Sequence, residues 1–522
     1  MYRRTRLVFG LIALLTAGAA TATGADMRGE AKAGYVYIDE EGNPGVNQPT
    51  FNLYEGVALS LEDFSYVLDN GIRFTGDLKN ITLNNRNLTA GATKSGLFGV
   101  NLRNNQYRRI YSLDGSRFTR RRHTSGDFWA QPHKYVRVFG GYGWTDRQGD
   151  QVERFDIADG AGAIRALDYR QTYYHAGVRL QQEQRRLQVE FRGGKYSEDS
   201  DPTADRTTSR FRVTADAPVP RYENVTLYGG YQHYENRADE RADTLKANTG
   251  WLGGTWYFGP GYHARYNFIW DRTRRTGDLS ATDNIANALY VGRTWTGRGG
   301  VTLGYRNRVN DDVHDEVDAV GWAVSGWFRP ITPLTLRAGF GTDEKEVTEG
   351  RTLTGDIEYT RHFASATYRF TNGSQARLQY AGRNQENDEI GSSFDYSRLA
   401  AEVFLHHGVY GDLQVSYALL TGEYESNEEQ FEFCDHVIAG DLWLVERYRV
   451  TAGVGGTYLR SKQDLDVESF SVRISGKYAL TARERIELVY TAHNFDDLAD
   501  QSPVYSQYYT ANVVELTLSH DL

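Results

Sequence analysis

Apolar and polar residues alternate along this chain in segment after segment, and turn residues separate the segments. From residue 261 to 271, Tyr262, Ala264, Tyr266, Phe268 and Trp270 fall on one side of an extended chain. His263, Arg265, Asn267 and Asp271 fall on the other, with Ile269 the exception. Successive side chains of a strand point to opposite faces, so a period of two predicts a strand with one apolar and one polar face. Leu187, Val189 and Phe191 alternate with Gln188, Glu190 and Arg192 in the same way, and Leu378 and Tyr380 with Arg377 and Gln379. Helical spacing never persists over a comparable length. The pattern predicts about 26 strands, in a range of roughly 22–26, from near residue 31 to the chain end.

The connections are of two kinds. Tight turns, such as residues 218–221, 259–261 and 371–373, alternate with longer acidic stretches, such as 198–205, 310–318, 343–349 and 423–432. Short turns at one end and long polar loops at the other is how an outer-membrane β-barrel is organised. In lipid every backbone N–H and C=O must be paired, which an amphipathic strand achieves only in a closed barrel. The expected fold is therefore all-β, a transmembrane antiparallel up-and-down β-barrel. About 30 residues separate Asp26 from the first long strand, too few for the plug of a plugged transporter, so no plug domain is expected. The final strand alternates Val514, Leu516, Leu518 and Leu522 with Glu515, Thr517, Ser519 and Asp521, as a closing strand should.

Before the strands, Arg3, Arg4 and Arg6 precede an apolar run from Leu7 to Ala20, and small residues follow to Ala25. This is the order of a secretory signal. The organisation expected is a signal peptide at 1–25, a mature N-terminus with a possible first strand at 26–56, and the barrel at 57–522. The expected location is the cell outer membrane.

Composition sharpens this reading. The 522 residues include 54 Gly and 36 Tyr but 2 Met and 1 Cys, with a formal charge of −9. Tyrosine suits the aromatic girdles of a barrel. The single Cys434 excludes a disulfide framework, a thiolate metal site and covalent haem attachment. The acidic balance gives no reason to expect nucleic acid as a partner.

Catalytic patterns are absent: there is no G-x-S-x-G, H-E-x-x-H or Walker loop, and no enzyme activity or cofactor is expected. Gly259 to Ala264 matches G-x-G-x-x-A but lies in a turn between strands, the wrong context for a nucleotide. His406 and His407 are adjacent, so in a strand they face opposite sides and cannot readily share a metal. Asp311, Asp312, Asp315 and Glu316 form the best acidic cluster, which solvated loop charge explains without a bound cation. The run Arg120-Arg121-Arg122-His123 is expected in an outer loop.

The polar strand faces carry the most specific signal. Arg192, Arg265, Arg306, Arg337 and Arg377 each lie a few residues after a tight turn, with Glu190 beside the first. In a closed barrel they face the lumen, at a broadly similar height near the short-turn mouth. Paired among themselves they stiffen the wall. Unpaired, they form a cationic ring that favours anions or docks an acidic protein.

The strand count, the missing plug and Phe51-Asn52-Leu53-Tyr54-Glu55-Gly56 ahead of a long strand together resemble the MtrB/PioB-like barrels of porin–cytochrome conduits. Members with a Cys-x-x-Cys near the mature N-terminus differ from this chain, which has none. The resemblance implies an insulating sleeve for a periplasmic or extracellular multihaem c-type cytochrome in electron transfer across the outer membrane. The alternative is a passive porin for small hydrophilic or anionic solutes.

Overall fold

A computed structural model describes residues 26–42, 53–110, 118–153, 163–240, 243–276, 281–311, 316–349, 355–387, 389, 391–408, 410–427, 429–444, 449–464, 466–498 and 508–522. Residues 1–25, for which a signal peptide is expected, Phe51 and Asn52 of the N-terminal motif, and Asp312 and Asp315 of the acidic cluster lie outside them.

Alternating sequence becomes one antiparallel sheet of 26 strands. Strand β1 (Asp26–Gly42) pairs with β2 (Gly56–Val67) on one side and with β26 (Tyr508–Asp521) on the other. The last pairing runs from Glu30 opposite Asp521 to Gly42 opposite Tyr509, so the sheet is closed. Closure removes both edges, which would otherwise expose unpaired backbone groups. The possible first strand of the 26–56 stretch is β1, which closes the ring. With strands about 4.8 Å apart and tilted about 40°, such a ring is about 50 Å across at the backbone. Side chains reaching about 5 Å from each wall leave an interior about 40 Å wide.

One face of the wall is apolar and bare. Leu252, Leu303 and Trp322 stand on it at 58%, 59% and 60% exposure. A continuous apolar surface of this size has to be covered, and for a closed β-barrel the cover is lipid. Aromatic residues gather on this face near the tight turns, among them Trp256, Trp295 and Phe328. The Arg293 guanidinium lies over the Tyr262 and Trp295 rings at 4.6 and 5.1 Å, its stem along the apolar surface and its charge at the rim. Among the described residues no helix is long and apolar enough to cross a membrane. The strands do the crossing.

The strands are longer than expected, and most of the acidic stretches belong to them. Asp343 to Glu349 is the end of β17 (Leu334–Glu349), and Asp311 and Glu316 pair across β15 (Gly299–Asp311) and β16 (Glu316–Ile331). The basic run 120–123 is likewise within β6 (Phe118–His133), not in an outer loop. About 10 residues cross the membrane, so a strand such as β8 (Ala163–Gln182), with 20 residues, stands well clear of it.

Candidate functional site

The polar face of the wall is the candidate site, and cross-strand register decides which of its charges meet. Arg306 in β15 lies opposite Gly321 in β16, and Gly321 lies opposite Asp343 in β17. Gly321 has no side chain, so Arg306 reaches across it and grips both oxygens of Asp343. A Cβ at Gly321 would collide with Asp343 Oδ1 and sit 2.8 Å from Arg306 Nε. Arg361, in β18 (Ile357–Arg369), approaches the same carboxylate at 3.5 Å. A cleft of about 620 Å³ opens beside this triad, and Arg308, Lys345 and Arg383 line it too.

A second network runs along β8 and β9 (Arg185–Glu198). Arg179 Nε donates to Gln188 Oε1 at 2.9 Å, and Gln188 Nε2 donates to Glu190 Oε2 at 3.2 Å. Glu190, 5% exposed, also accepts from Arg192. One turn-ward step away, Arg186 Nε bonds Asp216 of β10 (Arg206–Val219) at 2.7 Å.

The other named arginines bond neutral groups or none that is acidic, although Arg377 lies opposite Glu402 in the next strand. Arg265, in β13 (Tyr262–Arg275), donates to Tyr228 Oη at 3.1 Å, and Tyr228 donates on to Asn267 Oδ1. Tyr228 lies flat because its ring passes over Gly253, where an added Cβ would meet Cζ at 2.5 Å. Arg377 Nε lies 2.9 Å from the Gln379 amide oxygen once that amide is turned toward it. Arg337 is exposed, with Trp327 and Ser365 as its cross-strand neighbours.

These six residues do not form a ring at one height. Arg265 and Arg337 are the fourth residues of their strands and Arg377 the third, close to the tight turns. Arg192 and Arg306 are the eighth residues of β9 and β15. Four residues at about 3.3 Å each raise them roughly 13 Å along the strand. Spacing from a sequence-read turn fixed their face but not their level.

The sequence reading also missed a covered patch at the closure. Leu83 packs with Val36 of β1 and Val513 of β26, and Leu53 and Tyr54 lie against them. The reason is that β3 (Ile72–Lys79) and β4 (Asn87–Lys94) have only 8 residues each. Residues 80–86 fill the space above them: Ile81 N bonds Leu59 O, and Arg86 O accepts from Gln106 N. Among the described residues no group of His, Cys, Asp and Glu could hold a metal ion.

No family model and no curated protein matches this sequence. Among solved structures, the siderophore receptor PirA from Pseudomonas aeruginosa is similar, with a TM-score of 0.50 at 12% identity over 81% of this chain and 80% of that one. The ferric enterobactin receptor PfeA of the same organism has a TM-score of 0.52 at 10% identity, covering 81% and 82%. The alcaligin outer-membrane receptor FauA from Bordetella pertussis has a TM-score of 0.51 at 10% identity, covering 95% and 76%. At such identities the likeness is one of fold: the chain is a large closed β-barrel of the outer-membrane type. Plugged outer-membrane transporters close with about 22 strands. This barrel has 26.

Proposed function

We propose that the chain is an outer-membrane sleeve, a wall without chemistry of its own that encloses a folded protein partner and carries it across the bilayer. The width of the closed ring supports this reading above all. A domain of about 100 residues has a radius of gyration near 13 Å, so it fits an interior about 40 Å wide. A passive channel for small solutes needs a constriction, since an opening this wide would also pass folded proteins. The patch over Val36 and Val513 covers one sector of the wall. Uptake of iron chelates, which the names of the similar receptors describe, stays with those proteins, because the likeness reaches no further than fold. The partner class is the one that the MtrB/PioB-like resemblance implies, a multihaem c-type cytochrome. Electrons would then move through the partner's haems, and the barrel would supply insulation and position.

The test is purification of the barrel from native outer membranes in mild detergent, followed by a haem stain. A haem-bearing protein at a fixed ratio to the barrel is expected. A preparation that holds the barrel alone contradicts the sleeve.

A further inference from the structure

The charge of the interior is one-sided. Strand alternation and the register place on the polar face, from β5 (Phe98–Ile110) to β20 (Ser392–His407), roughly three basic residues for each acidic one. Its carboxylates are few, with Asp127, Glu190, Asp216, Asp343 and Glu402 among them. The remaining arc, from β21 (Gly411–Glu425) through the closure to β4, is mixed. There Asp435, Asp441, Glu487 and Glu515 face the same side as Arg473 and Lys477. This distribution occurs in a chain whose formal charge is −9. The acidic excess is therefore elsewhere in the chain.

Neutral groups hold many of the basic side chains. Arg308 Nε donates to Asn284 Oδ1 at 2.8 Å, and Arg383 donates to Gln385 Oε1 at 2.9 Å while lying over the Tyr359 ring. Arg137 sits 4.3 Å from the Trp129 ring centre, and Arg212 5.0 Å from that of Trp251. An amide or an aromatic face fixes the direction of a guanidinium without cancelling its charge. Such a surface is oriented in advance for carboxylates that the wall itself does not supply.

Building on the sleeve reading, we propose that the β5–β20 arc is the docking surface for an acidic face of the enclosed protein. The mixed arc from β21 to β4 then faces a different side of that guest, so the guest sits in one rotational orientation. A folded acidic protein fits better than an acidic polysaccharide, because a single extended polymer chain needs far less width than about 40 Å.

The test uses the complex as purified from native membranes. A photo-crosslinking residue is placed on the arc at Gln232 or Thr302, and on the mixed sector at Ser471 or Thr491. A second chain carries Arg308→Gln, Arg361→Gln and Arg383→Gln. Exposed charge pairs each contribute about a 1.4- to 5-fold factor, so the triple variant should hold its guest about 10-fold more weakly and release it at lower salt. Crosslinks from the arc positions are expected on an acidic face of the guest, and those from the mixed sector on a different face. A guest whose arc crosslinks fall on no acidic face, or that elutes unchanged from the triple variant, overturns the docking arc and leaves the sleeve standing. Absence of any protein guest overturns both. So does binding of alginate, as an acidic polysaccharide probe, to the guest-free wild type but not to the triple variant. Independently of the guest, the reversal potential of the empty barrel in about 0.01 M salt reads the arc directly, since charges there act over about 30 Å. Anion preference is expected, and cation preference or none overturns the proposal.

Discussion

At the scale of single residues, the interior depends on small side chains placed where large ones cross. The Arg306–Asp343 bridge exists because Gly321 leaves room between them. Replacing Gly321 with alanine puts a methyl group into that space, an overpacking that costs about 1–3 kcal/mol. The variant should therefore lose its heat-resistant, compact gel band at a lower temperature than the wild type, and an unchanged transition would show that the bridge does not cross there. Asp343→Asn is the complementary change. It leaves Arg306 and Arg361 without their shared carboxylate, so the empty barrel should become more anion-selective in low-salt bilayers. The sequence reading recognised Arg306 and Glu190 as polar-face residues, because alternation alone decides a face. It did not find Asp343 as a partner, because pairing across two strands depends on a register that no local pattern contains.

At the scale of strands, the pattern is clear inside the membrane and vanishes above it. In β17, Leu336 and Phe340 alternate with Arg337, while further on Glu344 and Glu346 face one side and Asp343 and Lys345 the other. Both faces are polar there, so the period of two is lost although the ladder continues. That is why the stretch reads as an acidic loop in sequence and folds as a strand. The same reasoning predicts unequal tolerance of charge within the membrane. Leu303→Arg on the apolar face should cost about 2–4 kcal/mol and impair assembly, whereas Thr302→Arg, one residue away on the polar face, should assemble normally. Equal yields of folded barrel from the two would mean that the faces are wrongly assigned. Closure is also a strand property. Ala33→Pro removes a backbone donor from β1, between its pairings with Leu59 and Leu518. The heat-resistant band should be lost in this variant, and its survival would show that β1 is not needed to close the ring.

At the scale of the molecule, number and width carry the account. Twenty-six strands were legible because tight turns and amphipathic segments repeat to the chain end. The covered patch at the closure was not, since nothing local announces that residues 80–86 complement two short strands. A ring this wide is either filled or open, and those two states differ most in how they conduct. The central claim is that a folded partner fills it. The direct measurement is planar-bilayer conductance of one native preparation, recorded before and after a high-salt wash that strips bound protein. The sleeve predicts small conductance before the wash and a large, stable conductance after it. Large conductance from the outset, unchanged by the wash, would contradict it and describe an open channel.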